Sequence, residues 1–175
     1  LLVDLYGDVP YSEALMRGEM ATPKYDDAQE IYTDLIAQLT AAIELIKTAE
    51  AEAATVAVGA DDVMFGGNMT SWIKFANSVK LRILTRESDV AGMGTYITEQ
   101  IGVINTEGSG FMTADAAVQP GYLIEENKQN ILWDDLGWDV SGTARMTNDA
   151  TCATQYVLDL LVEYNDPRIG YLYEP

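Results

Sequence analysis

One stretch constrains the fold more than any other: Asn68 to Glu87, which opens after Gly66-Gly67 and runs without a breaker. Trp72, Phe75, Ala76, Val79 and Ile83 recur at steps of three and four, which puts them on one face of an α-helix. Asn68 or Thr70 supplies the short polar side chain that accepts from the free N–H groups of a first turn. At 1.5 Å per residue such a helix is a rod of roughly 30 Å, and its apolar stripe must be covered by another element. The same helix carries Lys74, Lys80, Arg82 and Arg86, four of the ten Lys and Arg in the chain. Acids on the neighbouring helix, such as Asp34 or Glu44, are the expected partners of these charges.

That neighbour starts near Asp26. Asp26 with Gln29 has the form of a capping box, and Ile31, Leu35, Leu39, Ile43 and Ile46 then repeat at helical spacing to about Lys47. Thr48 to Ala60 is alanine-rich and reads as a fraying tail or loop. A shorter helix is expected over Thr95–Ile104, ended by Gly108 and Gly110, and a last one over Asn148–Tyr164. Asn148 or Asp149 caps the last helix. Tyr156, Val157, Leu160, Leu161 and Tyr164 form its apolar face, and the residue before Pro167 stops it. At the front, Leu1 to Tyr6 reads as the last turn of a helix, stopped by Gly7, with Asp8 to Lys24 as a loop. No strand alternation is sustained. The fold class is therefore all-α, a single domain over 1–175 built from helix pairs that bury each other's stripes.

Charge and composition narrow the function. A net charge of −18 opposes binding to nucleic acid or anionic lipid. The chain has no histidine, which removes Ser-His-Asp catalysis and imidazole metal sites. Its one cysteine, Cys152, reads as a small buried residue. Asp61-Asp62 and Asn148-Asp149 lack the alternating ligands of a calcium loop and read as caps or turns. No cofactor motif is present, and no cofactor is expected.

Phe111 to Met146 has no sustained period, and long irregular segments often carry function. It holds Trp133, Trp138 and Tyr122 beside Glu125, Glu126, Asn127, Asp134 and Asp135. Aromatic faces that pack on sugar C–H groups, rimmed by polar side chains, are what carbohydrate recognition asks for. The competing account is that the tryptophans plug a core under a long loop. Glu125/Glu126 and Asp134/Asp135 could be read as a glycosidase acid and base, but adjacent side chains point apart and neither doublet is a dyad by itself.

Four phrases carry a resemblance. Leu5-Tyr6-Gly7-Asp8-Val9-Pro10-Tyr11-Ser12-Glu13-Ala14 resembles the "YGDVPYSEA" phrase of the SusD/RagB family of outer-membrane lipoproteins. Thr22-Pro23-Lys24-Tyr25-Asp26, leading to Glu30-Ile31-Tyr32, resembles that family's next helix start. Trp72 to Arg82 resembles its "W-x-KFANSLKLR" helix, and Asn165-Asp166-Pro167-Arg168 its "DPR". The resemblance implies an all-α fold of tetratricopeptide-like helix pairs and a lipoprotein at the cell surface of a Bacteroidetes-type bacterium. It further implies non-catalytic binding of an oligosaccharide or other nutrient, and a SusC-like TonB-dependent transporter as partner. Members are longer, so the chain is expected to be a middle portion whose lipid anchor lies elsewhere. On this basis Trp133, Trp138 and Tyr122 are the candidate ligand-binding residues. The alternative is a helical scaffold that docks on the transporter, with ligand contacts outside this portion.

Overall fold

The computed structural model describes residues 1–52, 56–118, 120–150 and 152–173. They form α1 (Leu2–Tyr6), α2 (Ala28–Ala51), α3 (Met69–Arg86), α4 (Gly94–Glu107), α5 (Ile131–Leu136), α6 (Met146–Ala150), α7 (Gln155–Glu163) and α8 (Ile169–Leu172). Among the described residues there is no sheet, only isolated bridges between Val9 and Asp26 and between Trp138 and Ala144. The all-α class is thus as expected. No described helix is long and apolar enough to cross a membrane. The chain gathers into two compact bodies, Leu1–Val118 and Gln119–Pro175.

In the first body α2 and α3 pack along their length. Ile36 of α2, Ile83 and Leu84 of α3 and Ile104 of α4 form one buried cluster, flanked by Tyr32, Leu35, Val79 and Ile101. Ile43, Ile73 and Ala76 form a second, with Leu39 and Ile46 against it. The α2 stripe is close to the one its periodicity predicts, with Ile31 and Ile43 buried and Leu35, Leu39 and Ile46 packed against the clusters, but Ile36, beside that stripe, is its most buried member. The α3 stripe is turned by about one residue from the predicted one, because its buried positions are Ile73, Ala76, Asn77, Lys80, Ile83 and Leu84. Trp72 and Phe75 lie on the flank, where Phe65 meets Trp72 edge to face at 5.1 Å and 89°. The indole N–H explains the shift. It needs an acceptor, and Asp62 provides one at 2.8 Å in the turn before the helix.

Several expectations are corrected here. Asp27, not Asp26, caps α2, accepting from the N–H groups of Gln29 and Glu30. Asp26 instead accepts from the N–H groups of Tyr11 and Ser12 at 3.0 and 2.8 Å and pins the preceding loop to the helix start. The Ser12 N–H, foremost among these donors, helps hold its carboxyl at about 2. Arg82 and Arg86 do not pair with Asp34 or Glu44. Both reach Asp4 of α1, at 2.9 and 3.1 Å, and Tyr32 donates to the same carboxylate. Asp34 is occupied by the Tyr11 hydroxyl at 2.6 Å. Lys80 lies inside the body, 1% exposed, with its ammonium donating to the Thr40 hydroxyl.

The helix ends follow local chemistry. Asn68 caps α3 through Ser71 N–H, and Gly108 ends α4 at φ 84°, a left-handed cap that glycine adopts without strain. In the second body the single expected helix over Asn148–Tyr164 is two. Thr154 interrupts it, with extended backbone and its hydroxyl accepting from Val157 N–H. Thr151 lies outside the described residues, as do the side chain of Asp149 and residues 53–55 of the expected alanine-rich tail. Of the expected apolar face, Leu160 and Leu161 are half-buried, with Leu158 beside them, but Tyr156, Val157 and Tyr164 are exposed, because α7 is only nine residues long and covers a narrower stripe. Cys152 is also exposed, in the extended link before Thr154, rather than buried.

Candidate functional site

The aromatic residues singled out from the sequence come together in the second body. The local order begins at Asn130, whose side chain accepts from Leu132 and Trp133 N–H and starts α5. Trp133 therefore sits in the first turn. Its carbonyl then accepts from both Gly137 and Trp138 N–H, at 2.9 and 3.1 Å, which curls the chain back at the end of α5. A Cβ on Gly137 would stand 2.7 Å from that carbonyl oxygen, so the turn admits no side chain there. The result places the two indoles against each other, ring centroids 4.7 Å apart and planes inclined by 37°.

The turn is braced from the far side. Arg145 donates through Nε to the Asp134 carbonyl at 2.8 Å, and its guanidinium also pairs with the Asp134 carboxylate. Asn148 of α6 donates to the Leu136 carbonyl at 2.9 Å. Asp139 accepts from the Ser141 hydroxyl and from Ser141 and Thr143 N–H, which closes the next turn and depresses its carboxyl. Tyr122 arrives by a separate device. Asn127, at φ 61°, reverses the chain so that Leu123 N–H reaches the Lys128 carbonyl at 2.9 Å.

Trp133 is 52% exposed, Trp138 39% and Tyr122 37%. All three border one open recess of about 750 Å³, with Leu123, Leu132 and Leu136 as its apolar wall and Gln129 and Asn130 as its polar groups. The tryptophans do not plug a core. The polar surround differs from the expected one. Asp134 is engaged by Arg145 and Glu125 by Lys128, so neither carboxylate is a free rim group. Among the described residues no charged side chain lines the recess. Sequence reasoning missed Gln129 and Asn130. The signal for Asn130 was present, since an Asn two and three residues ahead of an apolar Leu-Trp pair is an N-cap pattern. Among the described residues no cluster of three or more His, Cys, Asp or Glu could hold a metal ion.

These features define a class, an all-helical protein of tetratricopeptide-like pairs that carries an open aromatic recess beside them in the chain. The chain belongs to the SusD-like family described as "Starch-binding associating with outer membrane", whose pattern matches residues 1–175. Solved structures agree. A SusD homologue from Bacteroides uniformis is 30% identical over 66% of this chain and 22% of its own length, with a TM-score of 0.54. A SusD/RagB family protein from Bacteroides thetaiotaomicron is 26% identical over 95% of this chain and 31% of its own, with a TM-score of 0.61. A chitin-binding protein is 26% identical over 99% and 33%, with a TM-score of 0.59. The chain thus spans between about a fifth and a third of the length of these relatives. No curated protein sequence matches it.

Proposed function

We propose that this chain supplies a non-catalytic glycan-binding surface to a protein at the bacterial cell surface, which passes its ligand to a SusC-like TonB-dependent transporter. The paired, exposed indoles of Trp133 and Trp138 carry this reading. Two rings in mutual contact hold each other in place, so a sugar can pack on their outer faces without first ordering them. Tyr122 adds an aromatic edge and a hydroxyl at the rim. The family description, which names starch, and the relative described as chitin-binding support a carbohydrate ligand. Association with the outer membrane likewise rests on the family description. Glu125 and Asp134, one from each acidic doublet near the recess, are tied up in ion pairs, an arrangement suited to holding a ligand rather than to exchanging protons with it.

Titration calorimetry of the chain against a panel of neutral oligosaccharides tests the reading. Trp133→Ala and Trp138→Ala are each expected to weaken binding by about tenfold or more, with the first body's unfolding unchanged. Binding that is indifferent to both substitutions would sink the assignment. No binding to any glycan would favour the docking scaffold instead.

A further inference from the structure

Two side-chain amides border the aromatic recess, and backbone partners determine which end of each is free. The Asn130 oxygen caps α5, accepting from Leu132 and Trp133 N–H at 2.9 and 3.4 Å. Only the oxygen can accept, so the amide NH2 is the end left over. Gln129 is arranged the other way. Its NH2 donates to the Trp138 carbonyl at 3.2 Å, so its oxygen is left over. Both side chains are half-buried, and among the described residues neither free end has a partner. Gln129 and Asn130, with an amide acceptor and an amide donor left over respectively, thus both line the recess together with Leu123, Leu132 and Leu136. Lys128 and Arg145, the cations nearest in sequence, are already paired with Glu125 and Asp134.

Resting on the reading of this recess as a glycan site, we infer that it selects sugars bearing an N-acetylated amino group. An acetamido group has one carbonyl to accept from the Asn130 NH2 and one N–H to donate to the Gln129 oxygen. Its methyl group suits the leucine wall. A hydroxyl in the same place is smaller, offers no methyl group and leaves the wall bare. A free amine would bring an ammonium into a lining without a carboxylate, and an acidic sugar would find no cation. Gln129 and Asn130 are thus specificity residues, while the tryptophans supply contact common to all sugars.

Three β-1,4-linked trimers test this, because those of N-acetylglucosamine, glucose and glucosamine differ only at C2. Calorimetry on the chain at pH 7, with the three monosaccharides alongside, should show the N-acetylated member binding about tenfold tighter than its hydroxyl counterpart, the worth of one or two neutral hydrogen bonds. Asn130→Asp keeps the capping oxygen but replaces the free donor by an acceptor. It should erase that advantage and raise affinity for the glucosamine trimer. Asn130→Ser, which keeps a cap without a charge, should erase the advantage alone, and circular dichroism checks that both variants fold. The inference is overturned if the N-acetylated member does not exceed its hydroxyl counterpart, whether both bind or neither does, or if both variants keep the preference. Should tryptophan-dependent binding of another neutral glycan then persist, the glycan-site reading survives alone; should no glycan bind, both fall.

Discussion

Glu107 closes α4, and its carboxylate collects donors from three directions. Lys47 of α2 reaches it at 2.7 Å, Asn77 of α3 donates at 2.8 Å, and Ser109 donates through its hydroxyl and its N–H at 2.7 and 3.0 Å. Burial alone would push the carboxyl up, but these partners outweigh it and hold it at about 2, against 4.5 for a free glutamate. The buried ammonium of Lys80 also faces it from α3. By linkage, moving a carboxyl from 4.5 to about 2 corresponds to an upper limit of about 3 kcal/mol of stability. Because the folded value lies below the unfolded one, the contribution is complete above the unfolded value. It drains away as the pH falls through the folded one. Glu107→Gln keeps the length and removes the charge. Urea unfolding followed by circular dichroism should find the variant less stable by about 2 to 3 kcal/mol at pH 6, or on the order of 10 °C in Tm. The gap should shrink to about half by pH 3. A gap that stays constant between pH 6 and pH 3, or no gap at all, would refute the account of Glu107 as a charge-dependent tie between α2, α3 and α4.

Two further outcomes follow from geometry. Lys80 is buried, its ammonium donates to the Thr40 hydroxyl, and desolvation depresses its proton affinity. Thr40 keeps its own bond to the Ile36 carbonyl without it, and Glu107 keeps Lys47, Asn77 and Ser109, so Lys80→Met should raise stability by about 1 kcal/mol in urea titration; a loss of that size would show that the charge is needed. Gly137→Ala forces a Cβ into the Trp133 carbonyl and should displace the indole pair, which on the proposed glycan-site reading lowers glycan affinity by about tenfold while the first body unfolds as before; unchanged near-ultraviolet circular dichroism of the tryptophans would mean that the turn does not position the rings.

Much of this architecture was legible in the residues, and the errors have a common cause. The α2 stripe could be read because Ile31, Leu35, Leu39, Ile43 and Ile46 recur at a spacing that the helix alone imposes, although Ile36 beside them is the most deeply buried. The α3 stripe was misplaced because apolarity was equated with burial. Lys80 and Asn77 occupy the interior through a long alkyl stem and a small amide, while Trp72 is drawn aside by its N–H. The ion partners of Arg82 and Arg86 were missed because Asp4 lies 78 residues from Arg82 in sequence, and no periodicity reports such a contact. In the recess, the aromatic residues announced themselves by composition. The amides did not, because the free end of an amide is decided by which backbone groups claim the other end.

The contact between Trp133 and Trp138 also has an optical consequence. Indoles at a centroid distance of 4.7 Å and an inclination of 37° share their electronic excitations, so their absorption and circular dichroism belong to the pair and not to either ring. A guest lying on the pair alters the local polarisability and the coupling together. The protein therefore carries its own chromophoric reporter at the recess, while Trp72, hydrogen-bonded to Asp62 in the other body, serves as an internal reference. Occupancy of the recess can be followed by light alone, without attaching a label to a surface whose shape the label would change.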